Sequence, residues 1–398
     1  MTTATPGALG GVRVVDLTRV LAGPLCTQML ADHGADVVKV EPPAGDETRR
    51  LGPPYDKLGH AAYFSALNRG KQAISLDLSH PDAQAVLHRL LADADVLVEN
   101  FLPGTMERWG LGYDTALRQR YPRLVYCAIS GFGSDGPLGG LPGYDAVLQA
   151  MCGLMSINGD GAMGTVKVGM PIVDHLTGYV ALSGILLALQ ARVRSGRGQR
   201  VEATLYDTAL SLLLPHAANW FASQKVPGLL GSAHPNIAPY DKFETPSGEL
   251  FIGILNDGQF RRFCRLVGLE ELPEDPRFAD NAHRVAHREV LKERIQTAIA
   301  TWDCGALCEA LMRAGVPAGS VNAVPQALAH PHTAHRQLVL REGAYVGLRA
   351  PMRLGDSGSV SHRLPPAFAQ DTQAVLGGLG YSAADVLRMH TSGAVHLP

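Results

Sequence analysis

Charge of either sign is scarce in this sequence. Asp, Glu, Lys and Arg make up 18% of 398 residues, short of the usual share of about 25%. Thirty-five basic against 37 acidic side chains leave a formal charge of -2. With no broad basic field, nucleic acid is excluded as the default partner. Cysteine is sparse too. The six, at positions 26, 127, 152, 264, 304 and 308, show no paired spacing, which excludes a disulfide framework and points to reduced core thiols in a cytoplasmic protein. Cys304 and Cys308 fall at helical spacing but lack the further histidine or cysteine that a zinc site needs. The longest uncharged apolar run, Leu176 to Ala191, has 16 residues, short of the roughly 20 that cross a bilayer, so no membrane partner is expected. The first twelve residues lack a basic segment followed by an apolar one, and no secretory signal is expected.

Several catalytic and nucleotide-binding motifs are missing as well. There is no G-x-x-x-x-G-K-[ST] loop, no G-x-G-x-x-G that opens a helix straight after a strand, and no G-x-S-x-G, H-E-x-x-H or paired C-x-x-C. A nicotinamide-dependent dehydrogenase loses its main support with the glycine fingerprint. His330, His332 and His335 are spaced as metal ligands can be, but beside Pro331 they read as surface or helix-start residues, and no metal is expected.

What the chain has in plenty is glycine, 44 residues, and proline, 26, above their usual shares of about 7% and 5%. Such a chain is rich in turns and tight loops. At roughly 150 residues per domain the length allows two or three units. The first 130 residues alternate strand and helix patterns. Val12–Leu17, Val37–Glu41, Ala73–Leu78, Val96–Asn100 and Leu124–Ile129 are short β-branched or apolar runs, and helical spacing follows Pro24 and Pro81. Strands separated by helices of 10–15 residues predict an α/β fold, a parallel sheet covered on both faces. After residue 224 the pattern changes. A hairpin turning at Thr245-Pro246-Ser247-Gly248 and three polar helices predict a smaller α+β domain over 225–325. The large domain then takes residues 1–224, and the tail, 326–398, returns to it.

One segment stands out chemically. Val168–His175 leads into an apolar helix that closes at Ser195-Gly196, with Asp174 where that helix begins. Two readings follow. Asp174 is an N-cap whose carboxylate accepts free N–H groups, or those same donors hold it ionised as a covalent nucleophile.

Around it lies an ordered set of short motifs. They are Asp16-Leu17-Thr18-Arg19-Val20-Leu21-Ala22-Gly23-Pro24, Val38-Lys39-Val40-Glu41 with Gly45–Arg49, and Asn68-Arg69-Gly70-Lys71. Next come Val98-Glu99-Asn100-Phe101 with Pro103-Gly104 and Arg108, then Gly143-Tyr144-Asp145, Asp174 and Ser195–Gln199. In this order the sequence resembles, over essentially its whole length, the class III CoA-transferases, the group that holds formyl-CoA and carnitine CoA-transferases and α-methylacyl-CoA racemases. The resemblance implies a Rossmann-like large domain, an interlocked homodimer, and coenzyme A entering as an acyl-CoA substrate with neither metal nor nicotinamide. It implies Asp174 as the nucleophile. It also implies CoA contacts at Leu76, Asn100, Phe101 and Arg108 and pantetheine neighbours at Val20 and Tyr144, with a helix-surface arginine as the other reading of Arg108 and core packing as that of Phe101; Arg69 and Lys71 read equally as phosphate partners or as solvated loop cations.

Departures from the family narrow the reaction. Leu21 stands where the formyl-CoA enzyme has a glutamine, and His234–Tyr240 replaces its glycine-rich loop, which argues against a formyl/oxalate pair. Tyr144 stands where the racemases have a histidine base, which favours transfer over racemisation. The segment from Gly231 to Phe243 resembles the branch using succinyl-CoA with small dicarboxylates such as glutarate or itaconate, and Arg49, Arg50 and His234 are candidates for a second carboxylate, Arg49 reading rather as a shared structural or CoA-site residue. The alternatives are a racemase or epimerase of the same fold, and a CoA-ester binding protein without activity.

Overall fold

The β-branched runs at the start of the chain become the strands of one seven-stranded sheet: β1 Arg13–Asp16, β2 Asp36–Glu41, β3 Lys71–Leu76, β4 Val96–Glu99, β5 Val125–Ser130, β6 Arg200–Thr204 and β7 Val395–His396. Their order is β7-β3-β2-β1-β4-β5-β6. All neighbours are parallel except β7, which pairs antiparallel with β3, Val395 opposite Leu76. This is the Rossmann-like arrangement. The chain walks outward from β1 to β3, then crosses back to lay β4 beside β1. That reversal opens a crevice beyond the carboxyl ends of β1 and β4.

The computed structural model describes residues 7–358 and 363–398. The chain divides into two compact units. The larger takes Met1–Leu154, Val168–Ala218 and Ala334–Pro398; the other takes Met155–Lys167 and Asn219–Thr333. The second unit therefore exceeds the expected 225–325 at both ends and gains an earlier segment. There, Gly159–Asp160 pairs with Gly164–Thr165, and Gly231 N–H donates to Gly159 O at 2.9 Å. The expectation had left 155–167 in the large domain because a two-residue strand pair carries no readable periodicity.

In the larger unit, two apolar layers sandwich the sheet. One gathers Val14, Val37, Val98 and Cys127 with helices α1, Ala22–Asp32, and α3, Ile172–Ser195; helix α2, Asp145–Met151, adds Leu148. The other packs Leu76, Leu87, Leu97 and Tyr126 against the helices Pro81–Ala92 and Ala383–Thr391. Gly178 is needed where α3 crosses the start of α1, since an added Cβ would sit 2.8 Å from the Ala22 carbonyl oxygen. At 24 residues α3 outruns the 16-residue stretch read from the sequence, and it is long and apolar enough to cross a membrane by length and composition. Val173, Thr177, Ala181, Leu182, Ile185 and Ala188 are nonetheless buried in the core, the place of a core helix.

The smaller unit is α+β. Tyr240–Thr245 and Gly248–Gly253 form the hairpin turning at residues 245–248, and Ala318–Ser320 completes a three-stranded antiparallel sheet. Phe243, Leu250, Phe260, Phe263, Ile295 and Leu307 fill its core. All six cysteines are buried as free thiols.

Candidate active site

The crevice at the sheet's reversal point is a cavity of about 280 Å³. It is lined by residues 19–22, 100–103, 129–131 and 141–144, with Glu47, Asp174 and Leu205. Most of this lining follows the carboxyl ends of β1, β2, β4, β5 and β6, where open parallel sheets bind ligands.

Asp174 reaches the crevice from the first turn of α3. Pro171, just before the helix, has no side chain to cap it. The capping carboxylate comes instead from Asp145 at the start of α2. Its Oδ2 accepts the N–H of Val173 at 2.7 Å and of Asp174 at 3.1 Å, and its Oδ1 accepts Gln149 Nε2 at 2.6 Å. The N-cap reading of Asp174 is thus overturned, and so is the idea that N–H donors hold its carboxylate ionised. Those donors are spent on Asp145. Burial, and then the charge of Asp145, push Asp174 up to about 7. It is balanced between acid and carboxylate at neutral pH, and its ionised form is more basic, hence more nucleophilic, than an ordinary aspartate.

Four of the expected contacts share this cavity: Val20, Asn100, Phe101 and Tyr144. Asn100 uses both ends of its amide on one residue, Oδ1 accepting from Arg19 N–H at 2.9 Å and Nδ2 donating to Arg19 O at 2.7 Å. Val20 holds φ at +70°, a rare conformation for a β-branched residue. Phe101 meets Trp109 edge-on at 5.2 Å. Tyr144 is 71% exposed.

The other expected contacts lie elsewhere, and each has a physical reason. Arg69, 2% exposed, donates to both oxygens of Asp32 and to the Tyr345 hydroxyl and Leu348 carbonyl. Lys71, 1% exposed, spends its three protons on Asp16, Asn68 and the Pro24 carbonyl. Neither is open to a phosphate. Leu76 is buried in β3 within the core. Arg49 makes a two-pronged pair with Glu41 at 2.7 and 2.6 Å and lies 3.7 Å from the Phe64 ring centroid, so it is a packing residue rather than a free cation. Arg50 is exposed and donates to the Ala44 carbonyl. Arg108 is exposed, with one hydrogen bond to Thr105 Oγ1, and is outside the cavity lining. His234 belongs to the smaller unit, where its ring meets Tyr240 edge-on at 5.3 Å and Nδ1 accepts Asn236 N–H.

Sequence reasoning missed two residues of this site. Asp145 and Arg19 stood inside motifs already singled out, but their roles depend on partners far along the chain. Outside the lining, the Tyr63 phenol is pushed up to about 12 by burial and by the carboxylates of Asp174, Asp145 and Asp46. Among the described residues, no group of three His, Cys, Asp or Glu side chains is placed to hold a metal ion.

Residues 9–372 match CoA-transferase family III. The chain is 39% identical to a succinate–glutarate CoA-transferase of Agrobacterium fabrum over 93% of its length and 95% of the relative's. It is 36% identical to an acetyl-CoA:oxalate CoA-transferase of Acetobacter aceti, covering 94% and 96%. A crystal structure of a CAIB/BAIF family protein from Brucella suis superposes with a TM-score of 0.84 at 39% identity, covering 94% of this chain and all of that one. The chain belongs to CoA-transferase family III, a family of enzymes that act on acyl-CoA thioesters.

Proposed function

We propose that this enzyme moves CoA from succinyl-CoA to a small dicarboxylic acid, glutarate or itaconate by preference, with Asp174 as covalent nucleophile. The observation that carries the reading is a basic carboxylate that, among the described residues, has no hydrogen-bond donor of its own and lines a cavity at the sheet's reversal point. Ionised Asp174 attacks the thioester carbonyl, the C–S bond breaks, and CoA thiolate leaves a mixed anhydride. The thiolate attacks the aspartyl carbonyl, releasing succinate and leaving an aspartyl-CoA thioester. The acceptor carboxylate attacks that thioester, giving a second anhydride and CoA thiolate. Attack of the thiolate on the acceptor's acyl carbonyl frees the new thioester and Asp174. No ATP is consumed, because every intermediate stays at the thioester or anhydride level.

Val20, Asn100, Phe101 and Tyr144 bracket the pantetheine end, and the exposed Arg108 meets a CoA phosphate. The name of the Acetobacter relative restores oxalate, which the departures at Leu21 and residues 234–240 had set aside, to the acceptors worth assaying. A homodimer is part of the proposal. Val180 and Leu187 leave an apolar face on α3, 40% and 71% exposed, the kind of surface that a second subunit covers. Buried free thiols suit a reducing, cytoplasmic setting.

The test is to incubate the protein with succinyl-CoA and glutarate, itaconate or oxalate in deuterated water. New acyl-CoA without α-deuterium supports transfer. α-Deuteration without exchange replaces it with the racemase reading, and tight CoA binding without either supports an inactive binding protein.

A further inference from the structure

We infer that Arg19 reads the distal carboxylate of the acyl group, and so sets the preference for dicarboxylic over monocarboxylic substrates. This rests on the proposed transferase reading and adds to it the residue that selects the acid. Among the described residues lining the cavity, Arg19 is the only cation. Arg49, Arg69, Lys71 and Lys39, other cations of these motifs, are committed to Glu41, Asp32, Asp16 and Asp46, and the exposed Arg108 is outside the lining. Arg19 and Asp174 line the same cavity, so this cation stands in the space where the acyl group is exchanged.

The way Arg19 is held supports this role. Its backbone is clamped by the Asn100 amide on both N–H and C=O. The next residue, Val20, is strained at φ +70° and leans on Asp46, which the buried Lys39 holds at 2.9 Å. Only the guanidinium is free to exchange partners. It lies over the Phe101 ring, 5.6 Å from the centroid, and rests on Glu47 at 2.7 Å, with side chains 34% and 56% exposed. An ion pair this exposed is weak and replaceable. A substrate carboxylate entering the cavity displaces Glu47 and takes a charge-assisted contact on a pre-positioned cation.

The test compares five-carbon acids that differ only at the far end, glutarate and valerate, by exchange kinetics and by calorimetric binding. In Arg19→Ala the glutarate-over-valerate ratio of kcat/KM falls at least tenfold, the size of one lost charge-assisted hydrogen bond, and Arg19→Lys recovers part of it. Glu47→Gln, which frees the guanidinium, lowers the KM for glutarate. An unchanged ratio in Arg19→Ala overturns the inference. So does a tenfold loss of CoA binding with the ratio intact, which would put Arg19 on a phosphate. If the wild type exchanges no CoA, the transferase reading falls by itself, and the glutarate and valerate affinities of wild type and Arg19→Ala still decide what Arg19 recognises.

Discussion

Asp16, at the end of β1, and Asp174, in the first turn of α3, are both carboxylates shielded from water, and they titrate in opposite directions. Burial by itself would raise Asp16, but Lys71, Lys39 and the hydroxyls of Thr18 and Thr27 bring it down to about 2. Among the described residues Asp174 has no cation and no donor, and burial with the charge of Asp145 takes it up to about 7. One region is an ionic cluster in which Asp16, Lys39, Asp46 and Lys71 satisfy one another. The other leaves a carboxylate unsatisfied beside a cavity. The cluster supports the strained Arg19–Val20 turn; the lone carboxylate is the reactive group. Partners, rather than burial, separate a structural charge from a chemical one.

The largest effect expected from breaking this contrast is on activity. Asp174→Ala lowers CoA exchange by about 10³-fold or more, as loss of a covalent nucleophile does, read as acyl-CoA turnover at saturating substrate. Next comes stability. Asp16→Ala leaves Lys71 buried without its carboxylate and costs about 3–5 kcal/mol in urea unfolding, the range for breaking one side of a buried pair. Because the folded-state pKa of Asp16 is depressed, its contribution is complete above about pH 4 and is lost as pH falls toward 2. Asp174 has the opposite sign. Its raised pKa opposes folding above about pH 4 and most of all above pH 7, so Asp174→Asn stabilises the protein at pH 8 by about 1–2 kcal/mol while removing activity. The smallest effect belongs to Asp145. Wild-type kcat/KM falls as pH drops through about 7, where Asp174 takes up its proton. Asp145→Asn still accepts the Val173 and Asp174 N–H groups through its amide oxygen. It moves that limb about one unit lower in a pH–rate profile, the worth of about 1.4 kcal/mol of charge interaction.

Much of the fold was legible because it is local. The runs ending at Leu17, Glu41, Asn100 and Ile129 fall on β1, β2, β4 and β5, and the turn at residues 245–248 falls between the two hairpin strands. Asp174 was legible as a residue, from its place before an apolar helix, but not in its state. The carboxylate that caps that helix stands 29 positions earlier. Arg69 and Lys71 look in sequence like loop cations awaiting a phosphate. What consumes them, Asp32 and Asp16, lies 37 and 55 positions away, joined only when β1, β3 and α1 pack together. Arg19 was visible inside its motif, yet its isolation as the cavity's cation depended on where every other cation went.

The central claim, that Asp174 becomes covalently acylated and then carries CoA, is tested most directly by mass spectrometry of the protein quenched in turnover with succinyl-CoA. A CoA thioester is expected on the peptide containing Asp174, appearing within the first turnover and absent from Asp174→Asn. Undiminished CoA exchange by Asp174→Asn, or wild-type turnover with no adduct on that peptide at any quench time, would contradict it.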